Sequence, residues 1–398
     1  MNRRSGLMPA AALLALASMQ AATNLPHGDA QMKTVSPATT STGAAYMRVE
    51  AERAGALFAA LRPDTWNGRL VLLVHGQVHV NEPVQLPPPG HDPVWSELID
   101  RLLSSGYGVA FSSFRVNGFA VREGVVDTRV AEAMFTAAFA RPDETYLAGF
   151  SMGNHVAQKI VESSAGYDGF LAVCSGLGGA TLQWEYFITA RLLFDYYFPG
   201  VLAGNAWTTT DLDLASAFPA VVAAMTASPE AFGRAVELAG VDQLELPWTT
   251  PEELVGAIAA SLLGAGGGTG DLQSKTGGIG IDNTRTQYTG SGDDRALNAG
   301  IGRFAADRNA VEFLRRFDPD GTLRGTPVLA LHTTRDAVVS HERHFAAYRA
   351  VLAEAGTEEL FATRLIDRFG HCTFSADELM AGMEDLVRWA ATGVKPES

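Results

Sequence analysis

The sequence predicts an α/β fold, with a mostly parallel central sheet flanked by helices and an inserted, mainly helical cap. Three observations lead there. Between residues 70 and 174, short buried apolar runs alternate with helical stretches, the rhythm of βαβ units. From about Gly176 to Arg316 no buried strand is legible, and aromatic-rich helical stretches such as Trp184–Phe198 take over. From Thr326 onward the alternation resumes. The chain accordingly divides into a leader (1–30), a first core segment (31–178), a cap (179–315) and a second core segment (316–398).

Each element has a local reason. After a Ser/Thr-rich lead-in at 36–42, alternating segments near Tyr46–Val49 and Leu57–Leu61 predict edge strands. Asp64 to Gly68 is a turn, and Leu70–Val74 is a buried strand. A Pro-rich loop runs from Gly76 to Pro93, then a helix from about Trp95 to Leu103. Gly108–Phe114, Thr145–Phe150 and Phe170–Cys174 are further strands, with helices at 125–140 and after Gly153 between them. In the cap, a helix starts at Thr250 as N-cap, with Pro251 in its first turn, Glu253 closing a capping box and Leu254, Ile258 and Leu262 every fourth residue. The glycine-rich tract from Gly264 to Gly280 is expected as a mobile loop. Beyond it come a strand at Thr326–His332, a helix from His341 to Ala355 between Ser340 and Gly356, and a strand at Leu360–Ile366. The last helix starts at Ser375, with Glu378 completing a capping box. It turns Leu379, Met383, Leu386 and Trp389 inward before Gly393.

Composition narrows the function. Apolar residues make up 47% and charged residues 19%, which is a globular balance. A net charge of −14 speaks against nucleic acid or an anionic membrane surface as partner, since phosphates need clustered Lys and Arg. The N-terminus carries Arg3 and Arg4 ahead of an apolar stretch from Leu7 to Ala17, too short to span a bilayer but laid out like a signal peptide. Ala21, Ala22 and Ala30 are the candidate cleavage positions, and a secreted or periplasmic protein without integral membrane association is expected.

The chemistry centres on Gly149-Phe150-Ser151-Met152-Gly153, a G-x-S-x-G match set between a strand and a helix. A serine on so sharp a turn needs small neighbours where a Cβ would clash, and the helix N-terminus beneath it favours developing negative charge. A serine hydroxyl is a weak nucleophile and needs a base oriented by an acid. Asp336 follows the strand ending at His332, and His371 follows the strand ending at Ile366, so both lie at carboxyl ends where they could reach Ser151. Asp367 is the rival acid, with the end of its strand as the alternative reading of its place. Among other histidines, His155 is expected to pack in the core, and His341 and His344 to be solvated. The backbone N–H groups of Met152 and Gln77 are the candidate oxyanion donors, with His75 supporting the loop. Cys174 and Cys372 should both lie near this edge, either bridged so as to pin the His371 loop or as two buried thiols.

WNGRLVLLVHG, AGFSMGNH, HTTRDAVV and FGHCTF together make residues 44–178 and 320–392 resemble the secreted bacterial serine α/β-hydrolases of esterase or prolyl-oligopeptidase-like type. The cap resembles nothing in that superfamily closely enough to name a substrate, and Gln77 stands where lipases often carry HGGG. The resemblance implies hydrolysis of a small-molecule or polymeric carboxylic ester through an acyl-enzyme, with Ser151 as nucleophile, His371 as base and Asp336 as acid, and without cofactor or metal. Trp184, Tyr186, Phe187 and Tyr197 are candidates for a substrate pocket, or else cap core. Amide hydrolysis by the same triad is the nearest alternative, and a non-catalytic binding protein on this fold the more distant one.

Overall fold

The computed structural model describes residues 31–88, 94–207, 214–240, 251–266 and 269–397, so the leader and the Thr250 cap lie outside the described residues. The strands are β1 (Gln31–Thr39), β2 (Ala45–Arg53), β3 (Ala56–Pro63), β4 (Arg69–Val74), β5 (Gly108–Ser112), β6 (Glu144–Phe150), β7 (Gly169–Val173), β8 (Val328–Arg335) and β9 (Phe361–Phe369). They form one sheet in the order β1-β2-β3-β5-β4-β6-β7-β8-β9. The first three pairings, β1-β2, β2-β3 and β3-β5, are antiparallel, and every pairing from β5-β4 to β8-β9 is parallel. The expected Ser/Thr-rich lead-in is therefore partly strand. β1 adds to the edge through its backbone ladder, which accepts polar side chains and even Pro37 because an edge strand has one free side.

The helices of the first core segment are α1 (Val94–Ser104), α2 (Val121–Ala138) and α3 (Gly153–Ser163). Those of the insertion are α4 (Ala180–Tyr197), α5 (Leu214–Ala227), α6 (Pro229–Leu238), α7 (Pro251–Gly266), α8 (Thr269–Thr276), α9 (Asp294–Gly300) and α10 (Arg308–Arg315). α11 (His341–Ala355) and α12 (Ala376–Thr392) complete the chain. Two apolar cores result, one on each face of the sheet. Phe135 of α2, Val156 and Ile160 of α3, and Tyr348 and Leu352 of α11 fill one. Trp95 and Leu98 of α1 with Leu379, Met383, Leu386 and Trp389 of α12 fill the other. Each such side chain, removed from water, contributes about 1.5–3 kcal/mol. α12 starts as its sequence predicts, in a capping box between Ser375 and Glu378, and ends at Gly393 with φ 71°. Among the described residues no helix is long and apolar enough to cross a membrane.

The insertion joins β7 to β8 and its described elements are all helical, as expected from the lost alternation. The glycine-rich tract departs from expectation: α7 continues to Gly266 and α8 spans Thr269–Thr276. Each helical glycine costs about 1 kcal/mol relative to alanine. Burial of Leu263 and Leu272 offsets that cost. So does Asp271, which accepts the Phe119 amide at 2.7 Å and pairs with Lys275 at 2.8 Å. Lys275 in turn donates to Asn117 O at 2.7 Å, tying α8 to the loop after β5.

Candidate active site

Parallel pairing brings five strand ends to one rim. Val74 of β4 lies beside Gly149 of β6, Phe150 beside Val173 of β7, and Val173 beside Leu331 of β8. The residues that immediately follow these strands therefore cluster, at the edge where open α/β sheets bind ligands. A bulge in the β8-β9 ladder between Thr333 and Arg335 sets Arg335 opposite Phe369. Gly370 N–H donates to Arg335 O at 2.9 Å and Thr333 Oγ1 to Gly370 O at 2.7 Å, anchoring the loop that carries His371.

Ser151 has φ 50°, the left-handed region that an L residue enters only under constraint. Asn154 supplies part of that constraint, donating at 2.8 Å to both Ser151 O and Val173 O. A Cβ on Gly153 would lie 2.2 Å from Val74 O, so the turn can press against β4 only with glycine there. At Gly149 the same atom would come within 3.0 Å of Asn154 Oδ1 and Gly153 O. The small residues predicted around the serine thus have a steric reason.

His371 reaches both partners. Its Nδ1 lies 2.7 Å from Asp336 Oδ2 and its Nε2 2.8 Å from Ser151 Oγ. A carboxylate only accepts, so the ring proton belongs on Nδ1, which leaves Nε2 to accept the serine hydroxyl. Asp336 is fully buried. Burial pushes its carboxyl up, yet the His371 charge and hydrogen bond, His332 and the Val339 amide outweigh it and hold the pKa below the ordinary value. The amides of Val338 and Val339 donate to Oδ1 at 2.8 and 3.0 Å, so the acid is fixed from its other oxygen as well. Asp367 has a side chain 87% exposed, engaged with Arg335 and Thr334, and points away from this network.

The histidines around the acid are more buried than the sequence suggests. His341 and His344, expected in solvent, are 7% and 2% exposed: His341 packs against the rings of His332 and Phe345, and His344 against Gly178 and Gln183 at the start of α4. Gly178 N–H donates to His344 Nδ1 at 3.1 Å, so its Nε2–H donates to Gln183 Oε1 at 2.9 Å. Burial pushes the His344 imidazole down to about 3, and His155, core-packed as expected, down to about 4. His332 is likewise pushed down to about 4 by burial, with Nε2 3.8 Å from Asp336 Oδ2. These rings are neutral at physiological pH.

Above Ser151 lies a cavity of about 780 Å³ between sheet and insertion. Trp184 and Phe187, one helical turn apart on α4, line it with Phe119, Phe218, Leu263 and Val339. Tyr186 and Tyr197, also candidates for the pocket, are elsewhere: Tyr186 turns about 100° per residue away from its neighbours and donates to Ala337 O at 2.7 Å, while Tyr197 packs edge-on against Tyr196. Sequence periodicity did not reveal Phe119, Phe218, Leu263 or Val339 as lining residues, since each carries an ordinary core signal. Met152 and Gln77 border the cavity beside Ser151, and neither amide donates to an acceptor among the described residues. His75 stacks on Phe114 at 3.8 Å and its Nδ1 lies 2.7 Å from Gly76 O, a role in shaping the loop.

Cys174 and Cys372 are joined by a disulfide across 198 residues. Both have positive φ, 45° and 57°, so the bridge and Ser151 form one constrained rim. Cys174, His371 and Cys372 bring three potential metal-ligand atoms within 4.8 Å of one another. Bridged sulfurs are not thiolates, however, and the imidazole is engaged by Ser151 and Asp336, so these three side chains do not offer a free metal-ligand set.

No protein-family model and no curated protein matches the chain. Among solved structures, feruloyl esterase B from Aspergillus oryzae matches at 14% identity over 96% of this chain and 91% of that one, with a TM-score of 0.51. The tannin acyl hydrolase from Aspergillus niger matches at 14% identity over 96% and 87%, with a TM-score of 0.49. A carboxyl esterase from Bacillus coagulans matches at 13% over 92% and 99%, with a TM-score of 0.43. At these identities the likeness concerns the fold. The chain has the α/β-hydrolase fold, a mostly parallel sheet flanked by helices and carrying a helical insertion.

Proposed function

We propose that this α/β-hydrolase-fold chain is a serine hydrolase that cleaves carboxylic esters. The reading is carried by one observation, the unbroken hydrogen-bonded series from Ser151 Oγ through His371 to Asp336 Oδ2 on a serine at φ 50°. In this reading His371 Nε2 takes the hydroxyl proton as Ser151 Oγ bonds to the ester carbonyl carbon. The tetrahedral oxyanion is held by the Met152 and Gln77 amides. As the C–O bond to the alcohol breaks, His371 returns the proton to the leaving oxygen. Water activated by His371 then cleaves the acyl-enzyme and releases the acid. Asp336 holds the neutral ring in the Nδ1–H tautomer and stabilises the imidazolium that forms when Nε2 takes the proton.

The absence of Asp, Glu, Lys and Arg from the lining of the cavity among the described residues favours ester over peptide. A peptidase that reads a chain terminus needs a charge to pair with it, since a buried unpaired charge is costly. Export through the leader at 1–30 belongs to the same proposal, and the Cys174–Cys372 bridge agrees with an oxidising compartment. The decisive experiment combines a fluorophosphonate probe with turnover of nitrophenyl esters and peptide anilides. Ser151 is expected to be labelled and the esters cleaved, with both lost in Ser151→Ala. Labelling elsewhere, or faster turnover of the anilides, would reject the reading.

A further inference from the structure

Ser151 lies between two chambers of unequal size. The one beneath the insertion, about 780 Å³, is described above. The other, about 260 Å³, opens on the far side and also reaches Ser151, His371 and Gln77. Its walls are Cys372 and Phe374 of the His371 loop with Trp95 and Phe150. We infer that the site selects neutral esters of a bulky apolar acid with a small alcohol, the acyl group lying beneath the insertion and the alcohol leaving past the His371 loop. This rests on the ester-hydrolase reading and adds to it a direction and a substrate class.

The direction follows from the proton. A carbonyl oxygen held by the Met152 and Gln77 amides leaves two substituents to place, and the one whose oxygen departs must face His371 Nε2. The smaller chamber is built from the loop that carries that imidazole. The larger is bounded on the opposite side by Met152 and His155 at the start of α3 and by Trp184 and Phe187 of α4. The class follows from the walls. The larger chamber falls within the ~300–1,000 Å³ of sites that enclose a drug-sized ligand, whereas the smaller falls below it. Aromatic and aliphatic side chains dominate the larger one, and Gln183, one of its polar groups, is already committed, donating to Val338 O at 2.9 Å and accepting from His344. Among the described residues no Asp, Glu, Lys or Arg lines it, and its histidines offer a charged acyl group no fixed counter-charge, His79 Nδ1 already accepting the Asn81 amide at 3.3 Å.

Two isomers with the ester reversed test the direction. Methyl 3-phenylpropanoate places the phenylethyl group on the acyl side, and 2-phenylethyl acetate places it on the alcohol side. The expected kcat/KM ratio favours the methyl ester by at least about tenfold, the scale on which apolar pockets discriminate. Placing a carboxylate on the ring of the methyl ester should lower its kcat/KM by a similar factor. Ala215→Trp, at an exposed position of α5 on the chamber wall, should move the ratio of the isomers toward unity. If Ser151 takes the fluorophosphonate but the isomers react equally, in the reverse order or not at all, the direction is wrong and the hydrolase reading stands. If Ser151 is not labelled and neither isomer is cleaved, both fall.

Discussion

Ser151 occupies a backbone region that costs a non-glycine residue about 1–3 kcal/mol, and it is held there by Asn154 and by the fit of Gly153 against Val74. This predicts opposite effects of one substitution on function and stability. Ser151→Gly should abolish hydrolysis yet raise the unfolding free energy by about 0.5–1 kcal/mol, read by chemical denaturation. Gly153→Ala should do the reverse of a benign change, forcing β4 and the turn apart at a cost of about 1–3 kcal/mol. Asp336→Asn should lower kcat about 10⁴-fold with KM little altered, because the amide no longer selects the Nδ1–H tautomer. Asp367→Asn should leave kcat unchanged, its side chain being in solvent. Equal losses in the two variants would show that burial and hydrogen bonding do not identify the acid.

The loop bearing His371 is held by several independent ties. Its base is fixed by Thr333 and Arg335, its far end by Arg368, which pairs with Glu378 at 2.8 Å, and its middle by the Cys174–Cys372 bridge. A bridge closing so long a loop removes much chain entropy from the unfolded state, so the Cys174→Ser, Cys372→Ser double variant should lose about 2–5 kcal/mol of stability. Its kcat should fall more than its KM rises, since the imidazole and not the chamber is loosened; a KM effect alone would contradict the tie between bridge and base. The insertion offers a parallel case. Asp271 is the acceptor for both the Phe119 amide and Lys275, so Asp271→Ala should loosen α8 from the loop after β5 and raise KM for bulky esters.

Stability over pH concerns the whole molecule, because the buried histidines lie on α3, β8 and α11. His155 and His332 are pushed down to about 4 and His344 to about 3, from an ordinary 6.5. The native state therefore binds fewer protons than the unfolded chain, and stability is full above about 6.5 and falls as pH drops from there toward 4. Each imidazole contributes on the order of 1–3 kcal/mol to that fall. Glu132, Glu162 and Asp195, whose carboxyls burial pushes up, act in the opposite sense as pH rises from the ordinary carboxylate range. The thermal midpoint should thus fall between pH 7 and 5, with a shallower slope in His332→Asn, whose amide can keep the donation to Thr333 O. An unchanged slope would mean the ring is not neutral in the folded state.

Much of this molecule was legible in the chain because its signals are local. Period-two and period-four apolar patterns, the Ser375–Glu378 capping box and the glycines around Ser151 each act within a few residues, so their outcome depends little on what packs against them. The order Ser151, Asp336, His371 at the ends of β6, β8 and β9 was legible for the same reason: parallel strands put their carboxyl ends together whatever lies between. Where contacts are distant, pattern failed. β1 is a strand because an edge was free to receive it, and α8 is a helix because Asp271 meets Phe119 across the molecule. Likewise His344 is buried because it meets Gln183 of α4 and His341 because it packs against His332 and Phe345, and Trp184 faces the chamber while Tyr186 does not. Only tertiary packing decides which of several equally apolar faces meets solvent, core or cavity, since burial is a property of neighbours and not of the residue itself.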